Sequence, residues 1–154
     1  MRHAKAAGSS PDGSDHARPL TERGLRDAAA MGRAVAADFA PDAIVCSTAA
    51  RASETAEAVA EAVAEAFADP PPLRYTDDLY HASANDWARV ASGFDDAWQT
   101  VLAVAHNPGV GDLLRRLGGD GYAPTATIGV IELDDWADLL GGRLVDVLRV
   151  EGRG

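Results

Sequence analysis

The sequence predicts an α/β fold: a three-layer αβα sandwich with a mainly parallel central sheet and a late antiparallel strand pair. Three observations lead to it. Short apolar, β-rich runs alternate with amphipathic helical stretches, an order that builds a parallel sheet with helices on both faces. The early runs are apolar throughout, as strands buried under two helical layers must be. The last two β-rich runs alternate in polarity and have no long helix between them, as an antiparallel pair with one exposed face does.

The elements follow in order. Residues 5–18 are rich in Gly, Ser, Pro and Asp and read as a loop. Thr21 is placed to cap a helix in which Leu25, Ala28, Ala29, Met31, Gly32 and Val35 recur at helical intervals. That helix is expected to stop near Phe39, before Pro41. AIVCS (residues 43–47) reads as a buried strand. Residues 49–67 are Ala- and Glu-rich, and Val59, Val63 and Phe67 mark the inner face of an amphipathic helix. Pro70, Pro71 and Pro72 end it, and LRYT (73–76) reads as a short strand. Ser83 is expected to cap a helix carrying Trp87, Val90 and Phe94. TVLAVA (100–105) is the clearest strand, HNPG (106–109) a turn, and VGDLLRRL (110–117) a short helix ended by Gly118 and Gly119. TIGVIEL (127–133) and RLVDVLRV (143–150) form the late pair, joined through the Trp136 segment.

The 154 residues suit one domain, 1–154, with a single core. No apolar run approaches the ~20 residues that span a membrane, and no secretory leader is visible, so a cytoplasmic monomer is expected. The single cysteine, Cys46, excludes an internal disulfide and a multi-cysteine zinc site, and reads as a small buried strand residue. A net charge of −10 makes nucleic acid a poor partner. It also makes any cluster of arginines informative.

Ligands of open α/β sheets bind beyond the carboxyl ends of the strands. The residues expected there are Ser47, Arg51 and His106, with Arg18 ahead of the first helix and Arg2 and His3 at the start. Guanidinium forks bind phosphate oxygens in pairs and stay charged at any working pH. A neutral imidazole among them can attack phosphorus and form phosphohistidine, splitting one displacement into two easier ones. The set holds no paired carboxylates and no metal-type ligand spacing.

RHAKA (2–6), RPLTERG (18–24), CSTAARASETA (46–56), LYHAS (79–83), VLAVAHNPGVGDLL (101–114) and PTATI (124–128) together resemble the histidine phosphatase superfamily, and within it the short SixA-type phosphohistidine phosphatases. The motifs occur in family order and cover nearly the whole chain. The resemblance implies a phosphoglycerate mutase-like fold and no metal or organic cofactor. It implies His3 as nucleophile, Arg2, Arg18 and Arg51 on the phosphate oxygens, and His106 as the second histidine steadying the transition state. The implied substrate is phosphohistidine on a protein, such as a signalling phosphotransfer domain. The alternatives are a phosphomonoesterase on a small metabolite and a phosphate-binding module without turnover.

The chain departs from the family pattern at Ser47-Thr48, usually Ser-Pro, and at Glu54-Thr55, usually Gln-Thr. Family members also carry an apolar strand of about five residues before the Arg-His pair, whereas only Met1 precedes it here. A start upstream of Met1 is therefore expected, and without that strand Arg2 and His3 should lie near the other arginines but be loosely anchored. His16 and His81 are read as structural, and Arg115 and Arg116 as a solvated helix face. Asp77, Asp78 and His81 are candidates to protonate a leaving group, with none assigned. The fragmentary glycine pattern of GVGDLL does not make a dinucleotide site.

Overall fold

A computed structural model describes residues 1–150; the last four residues of the expected domain lie outside it. Three parallel strands form one sheet in the order β2-β1-β3: β1 (Ala43–Ser47), β2 (Leu73–Thr76) and β3 (Val101–Val104). The antiparallel pair is β4 (Ile128–Glu132) and β5 (Arg143–Leu148), with a bulge between Val130 and Ile131. A 3₁₀ turn over Trp136–Gly141 joins them. This is the fold class expected from the sequence, matching the phosphoglycerate mutase-like arrangement. Among the described residues, no helix is long and apolar enough to cross a membrane.

Strand periodicity assigns the layers. Ile44 and Cys46 of β1 join the apolar cluster of α1 (Glu22–Asp38) and α2 (Ala50–Phe67), whereas Val45 joins that of α3 (Ala84–Ala91) and α4 (Gly109–Arg116). Successive side chains point to opposite faces, so one strand serves both layers. Alanine fills much of α2, which favours the helix and lets α1 approach closely. At their contact, a Cβ on Gly32 would sit 2.8 Å from Ala62 Cβ and 2.9 Å from Val59 Cα. The caps are those the sequence marks: Thr21 accepts from Gly24 N–H, and Ser83 forms a reciprocal capping box with Asp86.

The first three residues lie between the parallel sheet and the antiparallel pair, with an isolated bridge of Arg2 to Ala105. Met1 N donates to Ala103 O (2.6 Å), Ala105 N to Met1 O (2.9 Å) and His3 N to Ala105 O (2.9 Å). On the other side Arg2 N donates to Thr127 O (2.8 Å) and Ala126 N to His3 O (3.1 Å). Met1–His3 thus stitches the parallel sheet to the β4–β5 pair. The expectation of a loosely anchored Arg-His pair is corrected, because bonds from both neighbouring segments outweigh the fraying usual near a terminus. Below Met1 the two sheets part around a groove of about 780 Å³, lined by Trp98, Val101, Leu102, Ile128 and Ile131 among others.

Three further expectations shift. Leu25 is 47% exposed, and Gly24 occupies the inward place instead. A Cβ on Gly24 would lie 2.2 Å from the Lys5 carbonyl oxygen, so only glycine lets α1 begin against the segment that follows His3. Phe67, at the end of α2, is 46% exposed. Phe94 lies beyond α3 and packs edge-on to Trp136 at 5.4 Å.

Gly24→Ala should destabilise the protein by about 1–3 kcal/mol, because the obstacle is backbone and cannot swing away. Thermal unfolding should show Tm lowered by roughly 3–10 °C for a chain of this size. Gly8→Ala, where nothing lies within 4 Å of the added carbon, should stay within about 0.5 kcal/mol of the parent.

Candidate active site

His3 leaves the sheet at the carboxyl end of β3, and its neighbours fix it there. Ala4 N donates to Thr55 Oγ1 (3.0 Å), and Thr55 Oγ1 donates to Arg51 O (2.6 Å). Ala7 N donates to Pro19 O (2.8 Å), and Thr21 N to Lys5 O (2.9 Å). Glu54 accepts Leu20 N–H at 2.7 Å, so this departure from the family pattern holds the loop that carries Arg18. Thr48, the other departure, belongs to the rim described below.

The His3 ring is buried. Its Nδ1 lies 2.7 Å from Ala4 O, and a carbonyl can only accept, so Nδ1 carries the proton. Nε2 is then the lone-pair nitrogen, and Arg51 Nε–H approaches it at 3.3 Å. Burial pulls the His3 pKa down to about 4; the bond to Ala4 O opposes this, while Arg51, Arg2 and Arg18 add to it. His106 sits at the mouth of α4, its ring centroid 5.0 Å from that of His3. Its Nε2 pairs with Ser47 Oγ at 2.8 Å. Burial, then the neighbouring His3 and Arg51, brings its pKa to about 3. Both rings are therefore neutral at pH 7.

The arginines close the site. Arg51 Nη1 donates to Asp15 O (2.7 Å) and Nη2 to Asp15 Oδ2 (3.0 Å). Arg18 Nε and Nη2 reach Asp15 Oδ1 at 3.0 and 2.9 Å, and Nη1 reaches Ala7 O at 2.8 Å. Arg2 Nη1 donates to Ala123 O at 2.9 Å. Arg2 Nε and His106 Nδ1 are buried and have no hydrogen-bond partner among the described residues. Buried polar atoms are rarely left so, and two of them in one site make a receptor for a polar ligand.

An aromatic rim completes the mouth. Tyr80 stands edge-on to His106 (5.5 Å) and His16 (5.0 Å) and lies against His81 (4.0 Å). His16 Nε2 is 2.9 Å from Thr48 Oγ1, which donates to Asp77. His81 takes a left-handed backbone at φ 58°.

All five residues expected from the sequence, Arg2, His3, Arg18, Arg51 and His106, converge here. Asp78 does not: it pairs with exposed Arg89 at 3.6 Å. The sequence reading missed Asp15, which bonds two of the arginines, and Tyr80. Asp15 lies in a loop where Asp, Ser and Gly are unremarkable, and its spacing three before Arg18 was the only signal.

Comparisons with known proteins give the family and the fold. The family model of histidine phosphatase superfamily (branch 1) matches residues 1–92. The chain belongs to that superfamily. An uncharacterized protein of Mycobacterium tuberculosis is 36% identical over 92% of this histidine phosphatase and 93% of its own length. Two solved structures whose descriptions name the phosphohistidine phosphatase SixA are each 28% identical. The one from Agrobacterium tumefaciens has a TM-score of 0.79 and covers 97% of this chain and 95% of its own. The one from Nakamurella multipartitia has a TM-score of 0.80 and covers 99% and 94%. A protein of Escherichia coli described as an α-ribazole-5′-P phosphatase, at 17% identity, TM-score 0.66 and coverage of 100% and 96%, shares the fold.

Two histidines held below their unfolded value of 6.5 favour the folded state above pH 6.5, where both states are neutral. Below it the unfolded chain takes up protons that the folded protein refuses, so stability is lost as pH falls from 6.5 towards 4. Each contributes a slope of up to about 1.4 kcal/mol per pH unit. Urea unfolding from pH 7.5 to 4.5 should show this fall, and His106→Asn should flatten it.

Proposed function

We propose that this chain is a phosphohistidine phosphatase that acts on a phosphorylated protein through a phospho-His3 intermediate. One observation carries the reading. His3 Nε2 is a neutral lone pair, fixed by the Nδ1–H bond to Ala4 and met by a donor from Arg51. The reaction needs an unprotonated nitrogen beside cations that neutralise a phosphoryl group.

The route balances without a metal. His3 Nε2 attacks phosphorus and the P–N bond to the substrate imidazole breaks. A substrate ring already protonated on its other nitrogen departs as neutral imidazole, so no strong general acid is required. Water then attacks phospho-His3, the new P–N bond breaks, and inorganic phosphate leaves with His3 restored. Arg2, Arg18 and Arg51 hold the phosphoryl oxygens, with His106 Nδ1 as the further partner. The likeness at 28% identity to proteins described as SixA supports the choice of substrate. The rim of Tyr80, His16 and His81 is compatible with it too, since a planar imidazole can pack against such rings.

Turnover of a phosphohistidine protein should exceed that of sugar phosphates by at least ~100-fold in kcat/KM. His3→Ala should lower it by about 10³-fold or more and abolish the acid-labile phosphoprotein trapped in a quench. A preference for small esters would replace this substrate with the metabolite class. Phosphate binding with no trapped phospho-His3 would mark a module without turnover. The acid limb of kcat/KM contributed by the enzyme should lie well below pH 6.5, because His3 accepts a proton only near its lowered value of about 4.

A further inference from the structure

Asp15 is the anion at the centre of a cationic site. Its Oδ1 takes Arg18, its Oδ2 takes Arg51 and the Tyr80 hydroxyl (2.7 Å), and its backbone carbonyl takes Arg51 Nη1. Arg51 is buried and turns its remaining Nε–H to His3 Nε2. The direction of that donor is thus set from behind by Asp15. Three guanidinium charges, on Arg2, Arg18 and Arg51, against one carboxylate leave a surplus of two. A phosphoryl group carries about −1.5 to −2 at pH 7. Asp77, across the rim, takes the Thr48 hydroxyl.

We infer that Asp15 is a positioning residue that orients Arg51 and Arg18 and sets the charge of the site to match one phosphoryl dianion, so that inorganic phosphate leaves after hydrolysis. Its carboxylate and a bound phosphate draw on the same two guanidinium groups, so each weakens the hold of the other. The inference rests on the phosphatase reading for its purpose, but its charge balance is measurable without turnover.

The probe is inorganic phosphate, titrated calorimetrically into the full chain and into Asp15→Asn, Asp15→Glu and Tyr80→Phe. Asp15→Asn keeps the shape and removes the charge. It should bind phosphate about tenfold more tightly, the size of one nearby charge at partial exposure. In turnover its KM should fall and its kcat should fall with it, because product is retained. Asp15→Glu should return phosphate affinity to within about threefold of the parent. Tyr80→Phe also breaks a bond to Asp15 but leaves the charge, so its phosphate affinity should stay within about threefold.

Equal or weaker phosphate binding in Asp15→Asn would overturn the inference. So would a tightening of the same size in Tyr80→Phe, because loosened geometry would then be the cause. A parent protein that binds phosphate but releases none from a phosphohistidine protein would overturn the functional reading, while the affinity comparison would still decide the role of Asp15. No phosphate binding by the parent overturns both.

Discussion

The site depends on the pairing of three residues. Met1–His3 bonds on one side to Ala103 and Ala105 and on the other to Ala126 and Thr127. These bonds join two sheets that are otherwise separate, and they set the height at which His3 leaves the sheet. A slip of one residue would turn His3 to the opposite face and put Arg2 in its place. Everything packed around positions 4–7 guards against that slip. Thr55 takes the Ala4 amide, Lys5 O takes Thr21, and the bare face of Gly24 lets the first turn of α1 close on the segment. His3 is therefore firmly anchored although it lies third in the chain, because its anchors come from neighbours distant in sequence.

Electrostatics then acts on this frame. The protein carries a net charge of −10, yet it gathers Arg2, Arg18 and Arg51 around two buried histidines. Burial and Arg51 act in the same direction on both rings, and His3 also disfavours a proton on His106. The clustered cations therefore also help keep the His3 ring unprotonated. Placing so many cations together costs free energy, and Asp15 offsets part of it. Its carboxyl pKa is lowered first by the Tyr80 hydroxyl and then by Arg51 and Arg18, so it stays charged across the working range. With the chain acidic as a whole, the pocket stands out as the place where cations concentrate.

Much of this was legible in the sequence, for reasons of chemistry rather than pattern alone. Strands such as AIVCS, which face helices on both sides, leave a continuous apolar run, and a cap such as Thr21 or Ser83 leaves a residue type at a fixed offset. The arginines and histidines stood out because the background is acidic and because loops after strands collect ligands. Asp15 and Tyr80 stayed hidden because their roles exist only in three dimensions. Asp15 bonds Arg51, 36 positions away, and Tyr80, 65 positions away. Leu25 misled for a related reason. Helical spacing named it as inward, but the inward direction at that turn is decided by the Lys5 carbonyl, which admits only glycine.

The same logic explains why the first three residues were misjudged. Reading forward from a terminus, a short strand has no visible support, and fraying is the natural expectation. In the fold, Arg2 and His3 lie between strands whose own donors and acceptors must be satisfied. Pairing with Ala105, Ala126 and Thr127 offsets the freedom lost in ordering three residues. Elsewhere along β3 and β4 the same two sheets border the 780 Å³ groove. Hydrogen bonds to both neighbouring segments hold Arg2 and His3 in place. The Arg-His motif and the sheet edge it fills are one structural unit.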